Sequence, residues 1–118
     1  MFVCSCLDCQ RASGTGHSCL AMVRAGDVAT TGTVRTYDLT AESGGTVSRS
    51  FCPNCGTPIF GKSSRAPDIV MLPVGVFAQD ADWFSPQHQI FARSHHDWDA
   101  MGAAIARHHT YPQPRPKT

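Results

Sequence analysis

Short segments in which apolar and polar residues alternate run through most of the chain, with glycine and proline between them. This period of two predicts β-strands in preference to helices. Thr46–Phe51 alternates in this way, although Arg49 shares a face with Val47 and Phe51. Val34–Leu39 has the β-branched and aromatic content of a strand. Three shorter strands are predicted at His17–Val23, Pro58–Gly61 and His88–Ala92. The pattern therefore predicts a mainly β fold of short strands.

The strongest apolar run is IVMLPVGVF, over residues 69–77. Its length and apolar character predict a buried strand, but Pro73 cannot donate a ladder hydrogen bond and restricts that strand to an edge or a bulge. Earlier in the chain, CQRASGTG at Cys9–Gly16 predicts a short helical turn that runs into a loop.

The C-terminal part of the sequence departs from the strand pattern. Trp98, Met101 and Ile105 recur at helical spacing and predict a short C-terminal helix. The last residues, PQPRPKT, are proline-rich and predict a flexible tail over 111–118. A chain of 118 residues is of the usual size for one domain, which we expect to span residues 1–110.

Composition and charge exclude several broad classes of partner. The formal net charge is only +1, which argues against binding to nucleic acid such as duplex DNA or to an anionic membrane surface. No apolar run approaches the ~20 residues of a membrane span, and the residues before Cys4 contain no apolar segment of a signal peptide. We therefore expect a cytoplasmic protein, in which the six cysteines are metal ligands or redox groups more often than disulfides.

The cysteines are clustered in two short motifs. C-S-C-L-D-C contains Cys4, Cys6 and Cys9, and F-C-P-N-C-G contains Cys52 and Cys55. Thiolates spaced two or three residues apart can bind one ion from a tight turn, and Zn²⁺ favours ligands of this kind. Two such clusters in one chain predict zinc binding.

Other interpretations of these cysteines stay open at this stage. Cys52 and Cys55 could form a redox dithiol, although such a pair usually precedes a helix and a turn between strands is predicted here. Cys19 stands alone in an apolar segment, where cysteine is usually a small core residue, and we leave it out of the site. Five ligands do not divide into two four-coordinate sites, and a three-cysteine site with an open position is typical of catalytic zinc.

Four motifs in the chain resemble those of one protein family. They are C-x-C-x-x-C-x-R-A-S-G at Cys4–Gly14, R-x-F-C-P-x-C-G-T-P at Arg49–Pro58, V-G at Val74–Gly75 and F-x-R-S-x-x-x-W at Phe91–Trp98. In content and order they are similar to those of the glutathione-dependent formaldehyde-activating enzyme family, which includes the centromere protein V domain. The resemblance implies a β-tent fold, in which short antiparallel strands surround zinc-binding loops.

The resemblance also implies a division of the cysteines between two zinc sites. Cys4, Cys6 and Cys9 match the family's catalytic ligands, and Cys52 and Cys55 match half of its structural site. In the family the other half is an upstream C-x-C-G, which this sequence lacks. Either the natural protein begins further upstream, or one Zn²⁺ is shared by both clusters, and the sequence is compatible with both.

The family's reaction joins glutathione to formaldehyde as S-hydroxymethylglutathione and is classed as that of a carbon–sulfur lyase. Zinc held by three thiolates is a weak Lewis acid, but it can accept a soft thiolate as its fourth ligand. A small thiol such as glutathione is therefore the expected partner. His17, just after the metal loop, is a candidate proton donor, and Arg11 and Arg93 are candidates to bind a substrate carboxylate.

Each of these assignments has a structural alternative. His17 could be an ordinary histidine at the start of a strand, and both arginines could form ion pairs. The neighbouring His95 and His96 are typical of a solvated polar surface. For the whole protein, the alternative to an enzyme is a non-catalytic β-tent binding module that zinc only stabilises. A nucleic-acid-binding zinc ribbon fits less well, because its cysteine spacing and basic surface are missing.

Overall fold

The computed structural model of the chain describes residues 1–102 and 105–112. These residues form two compact units, one made of residues 1–20 and the described residues from 79 onward, the other made of residues 21–78. The single domain over 1–110 stays a prediction. Most of the predicted tail, from residue 113, lies outside the described residues.

The described residues contain eight strands and one α-helix. In chain order the strands are β1 (Phe2–Cys4), β2 (Ser18–Arg24), β3 (Arg35–Thr40), β4 (Thr46–Phe51), β5 (Pro58–Ser63), β6 (Ile69–Pro73), β7 (His88–Ile90) and β8 (Ala106–Arg107). The helix, α1, is Leu7–Ser13, and short 3-10 segments cover Ala25–Asp27, Val74–Phe77 and Ala92–Ser94. None of these helical segments has the length and apolar character needed to cross a membrane. The prediction of a mainly β fold of short strands is confirmed.

In the first unit the strand order is β2–β1–β7–β8. β1 is antiparallel to β2, so that Cys4 lies opposite Ser18 and Val3 lies opposite Cys19. β1 is parallel to β7, and β7 is parallel to β8. The expectation of antiparallel strands therefore holds for the first of these pairs and is wrong for the other two.

The apolar core of the first unit is small. Among its described residues, the buried apolar side chains are Val3, Cys4 and Phe91. Two polar residues, Ser5 and Gln89, are fully buried in the same unit. Because the burial of so little apolar surface contributes little free energy, a metal ion bound by this unit would add substantially to its stability.

Helix α1 begins at a cysteine and ends at a glycine. Cys6 is the N-cap: its backbone is extended, and its Sγ accepts a hydrogen bond from the backbone N–H of Cys9 at 3.3 Å. A sulfur thus occupies the position where serine or aspartate usually caps a helix. Gly14 has a φ of 74°, and its N–H donates to the Gln10 carbonyl, which ends the helix after Ser13.

The second unit is an antiparallel sheet in the order β3–β4–β5–β6, with the end of β2 beside β6. β3 and β4 form a hairpin, whose loop closes where the Ala41 N–H donates to the Gly45 carbonyl at 2.8 Å. A bulge between Ser50 and Phe51 shifts the register of β4 against β5. The bulge bends the strand directly before the turn that contains Cys52.

The strand predicted at Ile69–Phe77 is shorter than expected. β6 ends at Pro73, after which the chain continues as the 3-10 segment Val74–Phe77. Proline has no N–H for the ladder, and its fixed φ suits the entry to a helical turn. β1 was not predicted at all, because a strand of three residues is too short to show a period.

The predicted C-terminal helix is wrong within the described residues. Trp98 lies in a turn and Met101 has no regular structure, while Ile105 directly precedes β8. The backbone of this segment bonds to another part of the unit: the Ala106 N–H donates to the Gln87 carbonyl at 3.0 Å. Tertiary hydrogen bonds have overridden a weak helical pattern.

Candidate metal centre

Three cysteines converge at the junction of β1 and α1. Cys4 is the last residue of β1, Cys6 caps α1, and Cys9 lies in the first turn of the helix. Their sulfur atoms lie within 4.8 Å of one another, and among residues 1–102 and 105–112 they form the one such group of three or more Cys, His, Asp or Glu. Sulfurs bound tetrahedrally to zinc at about 2.3 Å are separated by ~3.8 Å. The group therefore fits Zn²⁺ after a contraction of about 1 Å or less.

The three thiols lie close enough to perturb one another, and this separates their pKa values. The bonds from Cys4 and Cys9 lower the pKa of Cys6 to about 2. The bonds to Cys6 and Cys9, followed by burial, raise the pKa of Cys4 above its usual range. At Cys9 the bond with Cys4 lowers the pKa, but the bond with Cys6 and burial outweigh it and raise the pKa to about 11. At neutral pH the metal-free group therefore carries one thiolate and two thiols.

Ser5 holds the loop between the first two cysteines in place. It is fully buried, and its N–H donates to the Ile90 carbonyl at 3.0 Å. Its Oγ accepts a hydrogen bond from Gln89 Nε2 at 2.9 Å, and its carbonyl accepts one from Gln10 Nε2 at 3.0 Å. Because the N–H, the hydroxyl and the carbonyl of Ser5 are all bonded, the cysteines on either side are oriented by the fold.

Ser18 supports the group from β2. Its Oγ donates to the Cys9 carbonyl at 3.1 Å, and the same hydroxyl contributes a lowering effect to the pKa of Cys9. Since Cys4 lies opposite Ser18, both side chains are on the same face of the sheet. Sequence reasoning missed Ser18, Gln10 and Gln89 as supporting residues, because serine and glutamine carry no ligand signal and only their partners in the fold reveal them.

His17 is bound to a buried aspartate. Its Nδ1 lies 2.7 Å from Oδ2 of Asp99, which is only 8 % exposed. A carboxylate accepts hydrogen bonds, so Nδ1 carries the proton. Burial and then the charge of Asp99 raise the pKa of the Cys19 thiol, and Cys19 lies on the opposite face of β2 from Ser18. The geometry gives His17 an anchoring contact with Asp99, and its role as a proton donor stays a prediction.

The two arginines predicted to bind a carboxylate have different surroundings. Arg11 lies on α1 and is exposed, with Nη1 3.6 Å from Oδ1 of Asp8. Because an exposed ion pair of this kind contributes little, Arg11 can pair with another carboxylate. The guanidinium of Arg93 lies over the ring of Phe91, 5.3 Å from its centroid, which is a cation–π contact. The substrate-binding roles of both arginines stay predictions.

Cys52 and Cys55 lie in a tight turn of the second unit. The Cys52 N–H donates to the Thr57 carbonyl at 2.9 Å, and the Gly56 N–H donates to the Cys52 carbonyl at 2.8 Å. Gly56 has a φ of 79°, a value that favours glycine. Thr57 Oγ1 lies 3.0 Å from the Cys55 Sγ and is the main cause of a lowered pKa at that thiol. The turn that the sequence predicted is formed, and the role of its sulfurs as metal ligands stays a prediction.

A sheet of short strands with a cysteine group at a strand–helix junction defines the class of this protein: a small β protein with a centre suited to a metal ion. The sequence model of one family, described as glutathione-dependent formaldehyde-activating enzyme, matches residues 1–94. The chain therefore belongs to the glutathione-dependent formaldehyde-activating enzyme family. No curated protein matches the chain. Proteins of this family typically bind zinc, and the three sulfurs near the N-terminus fit that ion.

Proposed function

We propose that this protein is a zinc-dependent enzyme of the carbon–sulfur lyase type, which forms or breaks the adduct of a small thiol such as glutathione with formaldehyde. Membership of the family supports a glutathione-dependent, formaldehyde-activating type of function. The observation that carries the proposal is the group of three sulfurs at Cys4, Cys6 and Cys9, all within 4.8 Å of one another. Three protein ligands leave a tetrahedral zinc ion one position for a substrate.

Zinc at this site would supply a ligand position where a thiol loses its proton and stays nucleophilic. The chain's own residues prepare that position. Cys6 is a thiolate at neutral pH because its pKa is lowered to about 2, so the group attracts a cation before the other two thiols ionise. Cys4 is buried and shields one side from water, whereas Cys6 and Cys9 are half-buried. A thiol substrate therefore reaches the group from the side of α1.

The reaction needs one proton transfer besides the new bond. In adduct formation the thiolate sulfur bonds to the aldehyde carbon, the carbonyl electron pair moves to the oxygen, and the oxygen takes up a proton. Breakdown of the adduct reverses each of these changes. His17 could exchange that proton only through Nε2, because its Nδ1 proton is held by Asp99. Arg11 offers an exposed positive charge on α1 for a carboxylate of the thiol.

A non-catalytic module is the second candidate function. The small apolar core of the first unit favours it, since zinc would then act mainly by stabilising the fold. The two functions differ in the fourth ligand of the metal. An enzyme needs an exchangeable ligand there, whereas a module is served better by a closed site of four protein ligands.

The test uses zinc-loaded protein with glutathione and formaldehyde. Exchange between the aldehyde and the adduct is followed by NMR and compared with the uncatalysed rate in the same buffer. We expect acceleration by the protein, and loss of both zinc and acceleration in Cys6→Ser. Cys19→Ser is the matched control, because Cys19 lies outside the sulfur group, and it should retain both. Zinc-loaded protein that does not exceed the uncatalysed rate would refute the enzyme and leave the module.

A further inference from the structure

An arginine interrupts the apolar side of β4 in the second unit. Arg49 shares a face of the strand with Val47 and Phe51, and its position is half-buried. Within residues 1–102 and 105–112, its side chain makes no hydrogen bond, ion pair or contact with an aromatic ring. A guanidinium is always charged and carries five N–H donors. The donors of Arg49 are therefore available to a ligand.

The register of the sheet places Arg49 in a row of four residues. Tyr37 on β3 and Gly61 on β5 each lie directly opposite Arg49, and Met71 on β6 lies opposite Gly61. Residues that lie directly opposite one another project from the same face of a sheet. The row therefore crosses one face of the sheet in the order Tyr37, Arg49, Gly61 and Met71.

The positions around Arg49 on this face are mainly apolar. Leu39 lies opposite Val47 in the neighbouring row, and both side chains are half-buried. At Gly61 a Cβ atom would lie 3.6 Å from Cε of Met71, so the methionine side chain reaches over the glycine. Because Gly61 has no side chain of its own, no other side chain of the row stands between Arg49 and Met71.

The charged strand residues on this face are both cations. Arg35 lies one row away from Arg49, opposite Phe51, and is exposed. The one acidic residue in strands β3 to β6 is Asp38, which follows Tyr37 and therefore projects from the other face. Two cations without an acid beside them create a positive potential, and a half-buried cation among apolar side chains is incompletely hydrated. The complementary ligand is an anion.

The surroundings of Arg49 also select the kind of anion. The planar fork of a guanidinium matches a carboxylate, with which it forms two parallel N–H···O bonds. A phosphate dianion would lose more hydration among apolar side chains than a carboxylate monoanion, and this loss costs free energy. The ring of Tyr37, which is 62 % exposed, can pack against an apolar group that carries the carboxylate.

We propose that Arg49, with Tyr37 and Met71, forms a binding site for a small carboxylic acid with an apolar body. The guanidinium binds the carboxylate, and the phenol ring and the thioether contact the apolar part of the ligand. These three residues belong to the second unit, whereas the cysteine group belongs to the first. The inference therefore goes beyond the proposed function and does not depend on it.

Titration of zinc-loaded protein with benzoate tests this site. In NMR spectra of protein with isotope-labelled arginine, the Nε–H signal of Arg49, assigned with Arg49→Met, should shift in a saturable way. Benzamide, which has the ring without the charge, should cause no shift, and acetate should bind about 3- to 10-fold more weakly, as for the loss of one aromatic contact. Equal shifts with benzoate and benzamide, or equal affinities for benzoate and acetate, would overturn the proposal.

Two variants locate the binding. Affinity for benzoate, measured by calorimetry, should fall at least about tenfold in Arg49→Met, which loses the charge-assisted hydrogen bonds. Arg35→Met is the matched control, because Arg35 is an exposed arginine on the same face, and its affinity should stay within about twofold of the wild type. Unchanged affinity in Arg49→Met would show that benzoate binds elsewhere and would refute the assignment.

Thermal unfolding separates a binding site from an arginine that supports the fold. Because a half-buried cation without an acceptor costs free energy, Arg49→Met should raise Tm by about 3–6 °C, whereas Arg35→Met should change it by less than about 2 °C. Saturating benzoate should raise the Tm of the wild type and leave that of Arg49→Met unchanged. A lower Tm in Arg49→Met, with no effect of benzoate on the wild type, would assign the guanidinium to the fold and overturn the site.

Discussion

Replacing Gly16 by alanine tests the packing that positions the Asp99 carboxylate. A Cβ atom at this position would lie 2.4 Å from Oδ2, 2.6 Å from Cγ and 3.0 Å from Cβ of Asp99. Contacts this short require movement, and the carboxylate is buried and bonded to His17 Nδ1 at 2.7 Å. We therefore expect Gly16→Ala to push the carboxylate away from His17.

The size of the effect follows from three contributions. Loss of a hydrogen bond to a charged group costs about 1.5–3 kcal/mol, and an overpacked contact adds about 1–3 kcal/mol, part of which relaxes. Alanine also reduces the entropy of the unfolded chain, which offsets about 0.4–1 kcal/mol. The free energy of unfolding should fall by about 2–4 kcal/mol, which for a domain of this size lowers Tm by roughly 8–16 °C.

Urea and thermal unfolding at a fixed concentration of free zinc measure this loss. Gly26→Ala is the matched control, because a Cβ there would meet nothing within 4 Å, and it should change stability by less than about 0.5 kcal/mol. In an Asp99→Ala background the two closest atoms are gone, so Gly16→Ala should cost much less. If Gly16→Ala is as stable as Gly26→Ala, or costs the same with and without the carboxylate, the packing argument is wrong.

The metal group and its surroundings give three further expectations. Because the pKa of Cys6 is about 2, that of Cys9 about 11 and that of Cys4 above its usual range, zinc binding near pH 7 should release about two protons. Protons compete with zinc for these sulfurs, so the affinity for zinc should fall about a hundredfold for each unit by which the pH is lowered. Calorimetry in buffers of different ionisation enthalpy measures the number of protons released. Release of three protons would show that the metal-free group carries no thiolate at neutral pH. Removal of zinc by a chelator should lower the free energy of unfolding by about 4 kcal/mol, if free zinc had been at a thousandfold excess over its Kd. Backbone amide hydrogens of β1 and α1 should then exchange faster. An unchanged exchange pattern would show that zinc does not stabilise the first unit. His17→Gln should lower the free energy of unfolding by about 1–2 kcal/mol and lower kcat about a hundredfold, as expected for the proton donor, whereas a kcat within about twofold would restrict His17 to its anchoring bond with Asp99.

The strands that could be predicted are those whose own side chains determine their register. Thr46–Phe51 was predicted from its alternation and is β4 with the same bounds. The segment around Trp98 shows the opposite case, because its conformation depends on the bond between Asp99 and His17, which are 82 residues apart. A pattern of local spacing contains no information on such a partner, and the predicted helix there was wrong.

The same distinction applies to the metal centre. The C-x-C-x-x-C spacing is local, and a strand end, a helix cap and a first helical turn are sufficient to bring its sulfurs together. One of the residues that orient this loop, Gln89, is distant in sequence from its partner Ser5. His95 and His96 were predicted as solvated surface. His96 is exposed and also bonds to Gln10, whereas His95 is half-buried, with its Nδ1 2.9 Å from Gln89 Nε2. Their polar character was visible in the sequence, but their partners were not.

Gln10 is bonded both to the loop of the three cysteines and to the segment that contains Ser94 and His96. The sequence pattern gave no sign that these two segments are in contact. Its backbone N–H donates to the Cys6 carbonyl in the first turn of α1, and its side chain bonds to Ser5, Ser94 and His96. Any movement of α1 that changes the spacing of the sulfurs would therefore also strain the bonds of Gln10 to Ser5, Ser94 and His96. Because coupling of this kind is reciprocal, a metal ion that fixes α1 should protect these hydrogen bonds, and loss of the Gln10 side chain should weaken retention of the metal.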